Sequence, residues 1–312
     1  MEELDEVMAQ VTAKHKSRSR KSVGYPSFSR RMDQRIRQRR LLLKYTDATP
    51  VTYVLTRKTW RDRICSRLGF PVPEKLLEDG SLEDALGLVR EHGHVVVKPV
   101  VGAGSRGVVP LVPAGWRYRD VRTERTLSLS RLERELREVR VSDRAVKRWS
   151  VERLILGDSN ASGHPMDYKL YMFRQRCGMV FQVKRHDGPA KYRYMDAQWN
   201  DLDVGRDEAR IDRSLPRPRD RSKVENLAQS IALEIPTSFM RIDLMEGRDG
   251  VYLSEVSPLP GRYNSLAKLV DQRLGLLWEM ADAEFQLEDP GQFEDVLRVM
   301  REESGRERLV PD

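Results

Sequence analysis

Apolar positions along the chain fall into short blocks whose spacing switches between helix-like and strand-like periods. In RKTWRDRICSRLGF, Trp60, Ile64, Cys65 and Leu68 recur every three to four residues and Gly69 follows, which predicts a helix with a glycine stop. PVPEKLLEDG predicts a short strand and turn. SLEDALGLVREHG reads as a capped helix, with Ser81 and Asp84 in a capping-box pattern and Gly93 at the close. HVVVKPV predicts a strand, GAGSRG a glycine-rich turn and VVPLVP a second strand. Residues 116–150 are strongly charged, with a helix around SLSRLERELREV. WSVERLILG reads as a strand running into a turn, and DYKLYMFRQRCGMVFQVKRHD as a hairpin turning at RQRCG. Residues 187–222 have few apolar positions and many Gly, Pro and charges, the texture of a lid or binding loop. VENLAQSIALEI predicts a helix with Leu227, Ile231 and Leu233/Glu234 at its inner edge. SFMRIDLMEGRDGVYLSEVSP predicts a hairpin around Gly247–Gly250. A helix over Leu266–Glu279 and further helical segments lead to a tail at 291–312. Helices interleaved with paired strands predict α+β lobes with mixed or antiparallel sheets.

Charge changes this picture at one end. The net charge is +8, yet between Lys14 and Lys44 there are 12 basic residues and one acid, Asp33. The remainder is nearly balanced, so the basicity describes residues 1–50 as an arm. Such a run is usually a solvated arm or a helix lying on the body, and it leaves open an anion or nucleic-acid contact. Two cysteines, Cys65 and Cys177, cannot make a disulfide framework or a Cys-rich zinc site. No apolar stretch approaches the roughly 20 residues that span a bilayer, and MEELDEVMAQ lacks a signal-peptide layout. A cytoplasmic protein with no membrane partner is expected. The sequence fixes no oligomeric state, and a homodimer stays open.

Candidate chemistry appears at two places. Gly102, Gly104 and Gly107 match G-x-G-x-x-G, but a strand follows where a dinucleotide-binding turn needs a helix. The glycines therefore cap a strand–loop–strand flap, whose backbone N–H groups can fold over nucleotide phosphates. Lys98 precedes the flap, unlike the lysine of a protein kinase, and no Walker motif is present. The second place is the RIDLM…YLSEV hairpin. Asp243 and Glu255 lie among apolar neighbours, where unpaired carboxylates are costly. Paired carboxylates suit Mg²⁺ shared with substrate phosphates. Arg241 shares a strand face with Asp243, and a cation there suits developing negative charge.

In this order the elements resemble the ATP-grasp superfamily over roughly residues 56–285. RKTWRDRICSRLGFPVP, HVVVKPVVGAGSRGV and SEVSPLPGRYNSL are similar to D-alanine–D-alanine ligase motifs. DYKLYMF, KYRYMDAQWNDLDV and RIDLMEGRDGVYLSEVSP resemble the TupA-like branch more closely. The resemblance implies an ATP-grasp fold: two α+β lobes, 51–150 with the flap and 151–290 with the metal hairpin, gripping ATP between mixed or antiparallel sheets. It implies that Lys58 and Lys98 neutralise ATP phosphates and that Gly104, Ser105, Arg106 and Gly107 form the flap. Glu152 and the backbone of Arg153 and Leu154 would hold adenine, and Asp158 falls near the ribose-binding acid. Lys169 would face the phosphates, and Asp243 and Glu255 would bind magnesium. Arg241 would stabilise an oxyanion, and Gly261 and Ser265 would hold a substrate carboxylate. Ser257 stands where the family has a metal-binding Asn, and its hydroxyl is a shorter, weaker oxygen ligand.

The implied activity is an ATP-dependent carboxylate–amine ligase working through an acyl phosphate on a small-molecule acid and amine. The flap and the 187–222 loop would exclude water. An ATP-grasp kinase acting on a hydroxyl is the alternative. A nucleotide-binding module without turnover, its arm recruiting nucleic acid or an acidic polymer, is opposed by Lys98, Asp243 and Glu255. Because these motifs lie downstream, removal of residues 1–44 is expected to leave ATP binding largely unchanged.

Overall fold

The computed structural model describes residues 25–101, 106–143, 145–157, 164–185 and 189–311. Gly102, Gly104, Ser105 and Asp158 lie outside the described residues, as does the basic run up to Gly24. Among the described residues, two antiparallel sheets carry most of the strands. The first contains β2 (Lys75–Gly80), β3 (Val95–Pro99), β4 (Val109–Ala114), β5 (Arg117–Asp120), β6 (Thr126–Leu127) and β7 (Trp149–Arg153), in the order β2-β7-β3-β4-β5-β6. Helices α4 (Leu82–His92) and α5 (Leu129–Ser142) cover one face of it, burying Val89, Leu132 and Leu136 on Val95, Val97, Leu111 and Val151. The capping box at the start of α4 forms as expected: Ser81 and Asp84 bond each other's backbone N–H. Alternation along β3 turns Val96 and Lys98 to the opposite face.

The second sheet contains β8 (Met166–Phe173), β9 (Arg176–Lys184), β10 (Lys191–Met195), β11 (Phe239–Glu246) and β12 (Val251–Ser257), in the order β10-β9-β8-β11-β12. Leu170, Met172, Met240 and Ile242 on one face pack with α2 (Val51–Leu55), α3 (Lys58–Arg67), α6 (Arg221–Glu234) and α8 (Glu294–Ser304). Tyr171, Phe173 and Phe239 on the other face pack with α1 (Phe28–Tyr45) and α7 (Lys268–Phe285). β1 (Thr49–Pro50) pairs in parallel with β13 (Leu309–Val310). Among the described residues, no helix is long and apolar enough to cross a membrane.

Several boundaries differ from those drawn on the sequence. Residues 28–45 are not an appendage, because α1 inserts Phe28 and Met32 into the core at 0% exposure. Arg35 on the same face donates to the Phe239 carbonyl (2.8 Å) and to Thr237 Oγ1 (3.0 Å). Residues 51–67 belong with the second sheet, β7 runs past residue 150 into the first, and α8 and β13 build the 291–311 tail into the body. The β8–β9 turn is only Arg174–Gln175, not RQRCG. Arg174 adopts a left-handed φ of 49° and gives its buried guanidinium to α6 carbonyls. The next residues are strand, and Gly178 is needed there: an added Cβ would come within 2.7 Å of Leu274 and Phe173. The inner face of α6 is Val224, Ala228, Ile231 and Ala232, while Leu233 and Glu234 face outward.

Nor is 189–222, the described part of 187–222, a free loop. β10 extends the sheet, Trp199 and Leu215 are buried, and Arg193 ties Asp201 (2.7 Å) to the Leu215 carbonyl (2.6 Å). The segment is a braced wall, which removes it as a lid.

The packing of α1 agrees with a helix lying on the body and counts against an expendable arm. Phe28 is ringed by Tyr171, Phe173, Phe239 and Trp278. Phe28→Ala should cost about 3–5 kcal/mol, read by urea denaturation, and deletion of residues 1–44 should leave the second sheet unable to fold. A Phe28→Ala midpoint close to wild type would return α1 to the status of an appendage.

Candidate functional site

The site is built where the two sheets meet. On the first sheet, Val96 pairs with Glu152 and Lys98 with Ser150, so Lys98 and Glu152 stand on one face. Lys98 Nζ lies 2.5 Å from Glu152 Oε2, and Lys75 Nζ reaches the same oxygen at 3.1 Å. Burial alone would raise the Glu152 carboxyl, but the Lys98 and Lys75 charges outweigh it and hold it below the ordinary glutamate range. Burial pushes Lys98 down, against the pull of Glu152. Lys58 begins α3 and donates to the Pro99 carbonyl at 3.1 Å. Burial, and then the neighbouring Lys98 charge, push its ammonium down to about 8.

On the second sheet, β11 lies between β8 and β12, so Asp243 is flanked by Lys169 on one side and Glu255 on the other. Asp243 is 1% exposed. Arg241 Nε and Nη2 donate to it at 2.6 and 2.8 Å, and Lys169 Nζ bonds the same carboxylate. Lys169 also reaches Asp167 at 3.0 Å. Asp167 would be raised by burial, but Lys169 and Arg185 hold it low. Glu255 receives Arg61 Nη1 at 3.1 Å and stands 4.0 Å from Arg241 Nη2. A bulge follows Asp243 on this ladder, a device that re-aims side chains beside functional sites. Ser257 stands opposite Arg241.

Two facing carboxylates on neighbouring strands fit a hard cation that takes oxygen ligands and shares them with phosphates. Among the described residues, no group of three or more His, Cys, Asp or Glu could hold a metal alone. A cation at Asp243 and Glu255 would therefore complete its shell with water and ligand oxygens.

A cavity of about 470 Å³ is lined by Lys58, Arg61, Lys75, Lys98, Glu152 and Glu255. A second, of about 230 Å³, shares Lys98, Glu152, Met245 and Ser254 with it and adds Val96, Leu154, Val183 and Arg185. The structure thus gathers Lys58, Lys98, Glu152 and Glu255 around one space. Asp243, Arg241 and Lys169 lie beside it as a mutually paired cluster, joined to the cavity wall through Glu255. Arg106 and Gly107 follow the undescribed part of the flap, and Gly107 has a left-handed φ of 72°. At the expected adenine hinge, the Arg153 amide donates to the Glu74 carbonyl (2.9 Å) and that of Leu154 to His94 (3.1 Å). Neither amide is available to a ligand.

Gly261 and Ser265 form a separate corner. Ser265 Oγ donates to the Arg262 carbonyl (3.0 Å) and accepts from Arg206 Nη1 (2.8 Å). Asp207 takes Arg262 Nη1 (2.8 Å) and the Tyr194 hydroxyl (2.9 Å), and Tyr263 reaches Asp33 on α1 (2.6 Å). Sequence reasoning missed Arg61, Asp62, Lys75, Arg185, Arg206 and Asp207. A faint signal existed for Arg61, which lies three residues after Lys58 and so on the same helix face.

Residues 32–278 match the family described as TupA-like ATPgrasp. No curated protein matches the chain. Among solved structures, the chain is similar to the ATP-grasp ligase PsnB complexed with minimal precursor, Mg and ADP (15% identity, TM-score 0.43, 76% of this chain and 61% of that one). It is also similar to D-alanine–D-alanine ligase from Bacillus anthracis complexed with ATP (18% identity, TM-score 0.42, 80% and 68%). A third likeness is to D-cycloserine synthetase DcsG (14% identity, TM-score 0.44, 81% and 80%). The chain spans about 61% of the length of that PsnB chain.

The depressed Lys58 gives the cavity a pH dependence. Lys58 carries its proton below about 8 and loses it as pH rises through that value. Affinity for ADP should therefore fall across pH 8 in the native protein, measured by calorimetry. Lys58→Arg, whose guanidinium stays charged, should flatten the profile. An unchanged profile in that variant would show that Lys58 does not meet the anion.

Proposed function

Because the chain belongs to the TupA-like ATP-grasp family, we propose that it is an ATP- and magnesium-dependent ligase joining a carboxylate to an amine. The observation that carries this reading is the Asp243–Glu255 pair facing across two strands, beside Arg241 and next to a cavity walled by Lys58 and Lys98. That arrangement supplies anionic oxygens for a divalent cation and ammonium groups for polyphosphate, the two things phosphoryl transfer asks of a protein.

Asp243 and Glu255 would hold Mg²⁺, which offsets phosphate charge when bound. Lys98 and Lys58 would bind the phosphate oxygens, Lys98 exchanging its pairing with Glu152 for the nucleotide. The substrate carboxylate oxygen attacks the γ-phosphorus, the bond to ADP breaks, and an acyl phosphate results. The amine then attacks the acyl carbon, loses a proton and expels phosphate. Arg241, held by Asp243, would stabilise the oxygen charge that develops in both steps. Arg206 and Arg262 would hold the turn of Gly261 and Ser265 against the acid. The substrates would be a small acid and an amine of amino-acid or peptide type. Ser257, opposite Arg241, would meet a second cation at close range or through water.

Mass spectrometry of products from protein, Mg-ATP and a library of amino acids and small acids tests this. The expected product is an amide, with ADP release that depends on the amine. An amine-independent phosphorylated product would make the protein a kinase. Lys98→Ala should lower ADP release at least 100-fold while the protein stays folded, since Glu152 keeps Lys75. Asp243→Asn and Glu255→Gln should each lose magnesium-dependent turnover to a similar degree. A folded Lys98→Ala protein with near-native ADP release would end the phosphate assignment.

A further inference from the structure

Arg61 is 8% exposed and lines the same cavity as Lys58, one turn earlier on α3. Its guanidinium is held on two sides. Nε and Nη2 donate to Asp62 Oδ1 at 3.2 and 3.0 Å, and Nη1 donates to Glu255 Oε1 at 3.1 Å. Asp62 is itself fixed by Lys75 at 3.2 Å, and Lys75 shares Glu152 with Lys98. The fork is therefore oriented by Asp62 and aimed at Glu255.

A divalent cation on Glu255 and the Arg61 guanidinium compete for one carboxylate. Arg61 holds Oε1, so magnesium coordinated to this carboxylate at about 2.1 Å would sit beside a second cation, and neighbouring cations repel. Once Glu255 is handed over, Arg61 loses one of its two anions while still buried, a costly state unless another anion arrives. With Nε and Nη2 still held by Asp62, Nη1 offers an oriented, charged donor to a phosphate oxygen. The geometry points to a double role for Arg61: it holds Glu255 while no divalent cation is bound, and it gives Nη1 to a nucleotide phosphate when the cation takes Glu255. This rests on the nucleotide- and magnesium-binding part of the proposed function, but not on the identity of the acid, the amine or the product.

The two roles have opposite signs, and that separates them from a structural one. Arg61→Met removes the competitor, so Mn²⁺ without nucleotide, followed by electron paramagnetic resonance, should bind several-fold more tightly. The same variant loses a charged phosphate partner, so Mg-ADP, measured by calorimetry, should bind on the order of 10- to 100-fold more weakly. Arg61→Lys keeps the charge and should restore native Mn²⁺ binding and part of the Mg-ADP affinity. If Arg61→Met does not fold, Arg61→Gln replaces it, with the same signs expected. Equal weakening of both ligands, or native binding of both, overturns the assignment. A native protein that binds Mg-ADP but makes no amide removes only the ligase reading. A native protein that binds no Mg-ADP removes both.

Discussion

Asp243 is 1% exposed in the middle of a sheet, and the cost of burying its charge decides what surrounds it. Two cations meet it, Lys169 from the neighbouring strand and Arg241 from two residues back on its own. Lys169 would not reach it in another register, whereas Arg241 moves with it on the same strand. A slip of one residue along β11 would turn Asp243 into the apolar face built by Met240, Ile242 and Leu170. It would also turn Ile242 toward the charges. The strand pairing that stabilises the lobe and the pairing that assembles the charged cluster are thus one constraint. Removing either cation would leave a buried carboxylate under-compensated, so the cluster has few tolerated substitutions.

From that cluster, charge alternates outward. Glu255 meets Arg61, Arg61 meets Asp62, Asp62 meets Lys75, Lys75 meets Glu152 and Glu152 meets Lys98. The series leaves the second sheet at β12, passes through α3 and enters the first sheet at β2. Lys58 stands apart from it, bonded to a carbonyl on the same cavity, and burial and then the Lys98 charge lower its proton affinity. An anion entering the cavity therefore finds one ammonium already poorly compensated. Other cations become free only by giving up a carboxylate, and on the proposed reading a divalent ion on Glu255 would change that balance for Arg61. On that reading, ligand and counterion exchange would be coupled by charge.

Local features of the sequence translated directly into structure. The capping box at Ser81 needs only four residues, and the 239–257 hairpin needs only alternation and two glycines. Lys98 and Asp243 were legible for the same reason, since a charged residue inside an apolar strand has few bland explanations. The misread parts have long-range causes. In α1, Phe28 and Met32 lie among arginines and read as a solvated arm or a helix merely lying on the body, because Phe173, Phe239 and Trp278, which cover them, are far away in sequence. In 187–222, charges that looked like solvent-facing loop are internal braces such as Arg193–Asp201. Arg61 and Lys75 resembled surface residues of a helix and a strand because nothing local reveals a partner across a cleft.

The corner at Gly261 and Ser265 shows the same principle acting on backbone conformation. Gly261 has open space where a Cβ would stand and no left-handed φ, so its own freedom does not shape the turn. The left-handed residues are Arg262 (φ 58°) and Asp207 (φ 62°), neither of them glycine, and they face each other through an ion pair. Such conformations cost about 1–3 kcal/mol each and persist only where surroundings over-determine them. Here the surroundings are plain. Burial would raise the Asp207 carboxyl, but Arg262, Tyr194 and Arg206 hold it low and charged. Arg206 binds both the Arg262 carbonyl and Ser265 Oγ, and α1 reaches in through Asp33 to Tyr263. The turn is therefore moulded from outside, by the braced wall that follows β10 and by the helix that precedes the rest of the fold. The shape of the turn is thus encoded largely in residues far from it in sequence, and the local motif across 258–266 does not carry its cause.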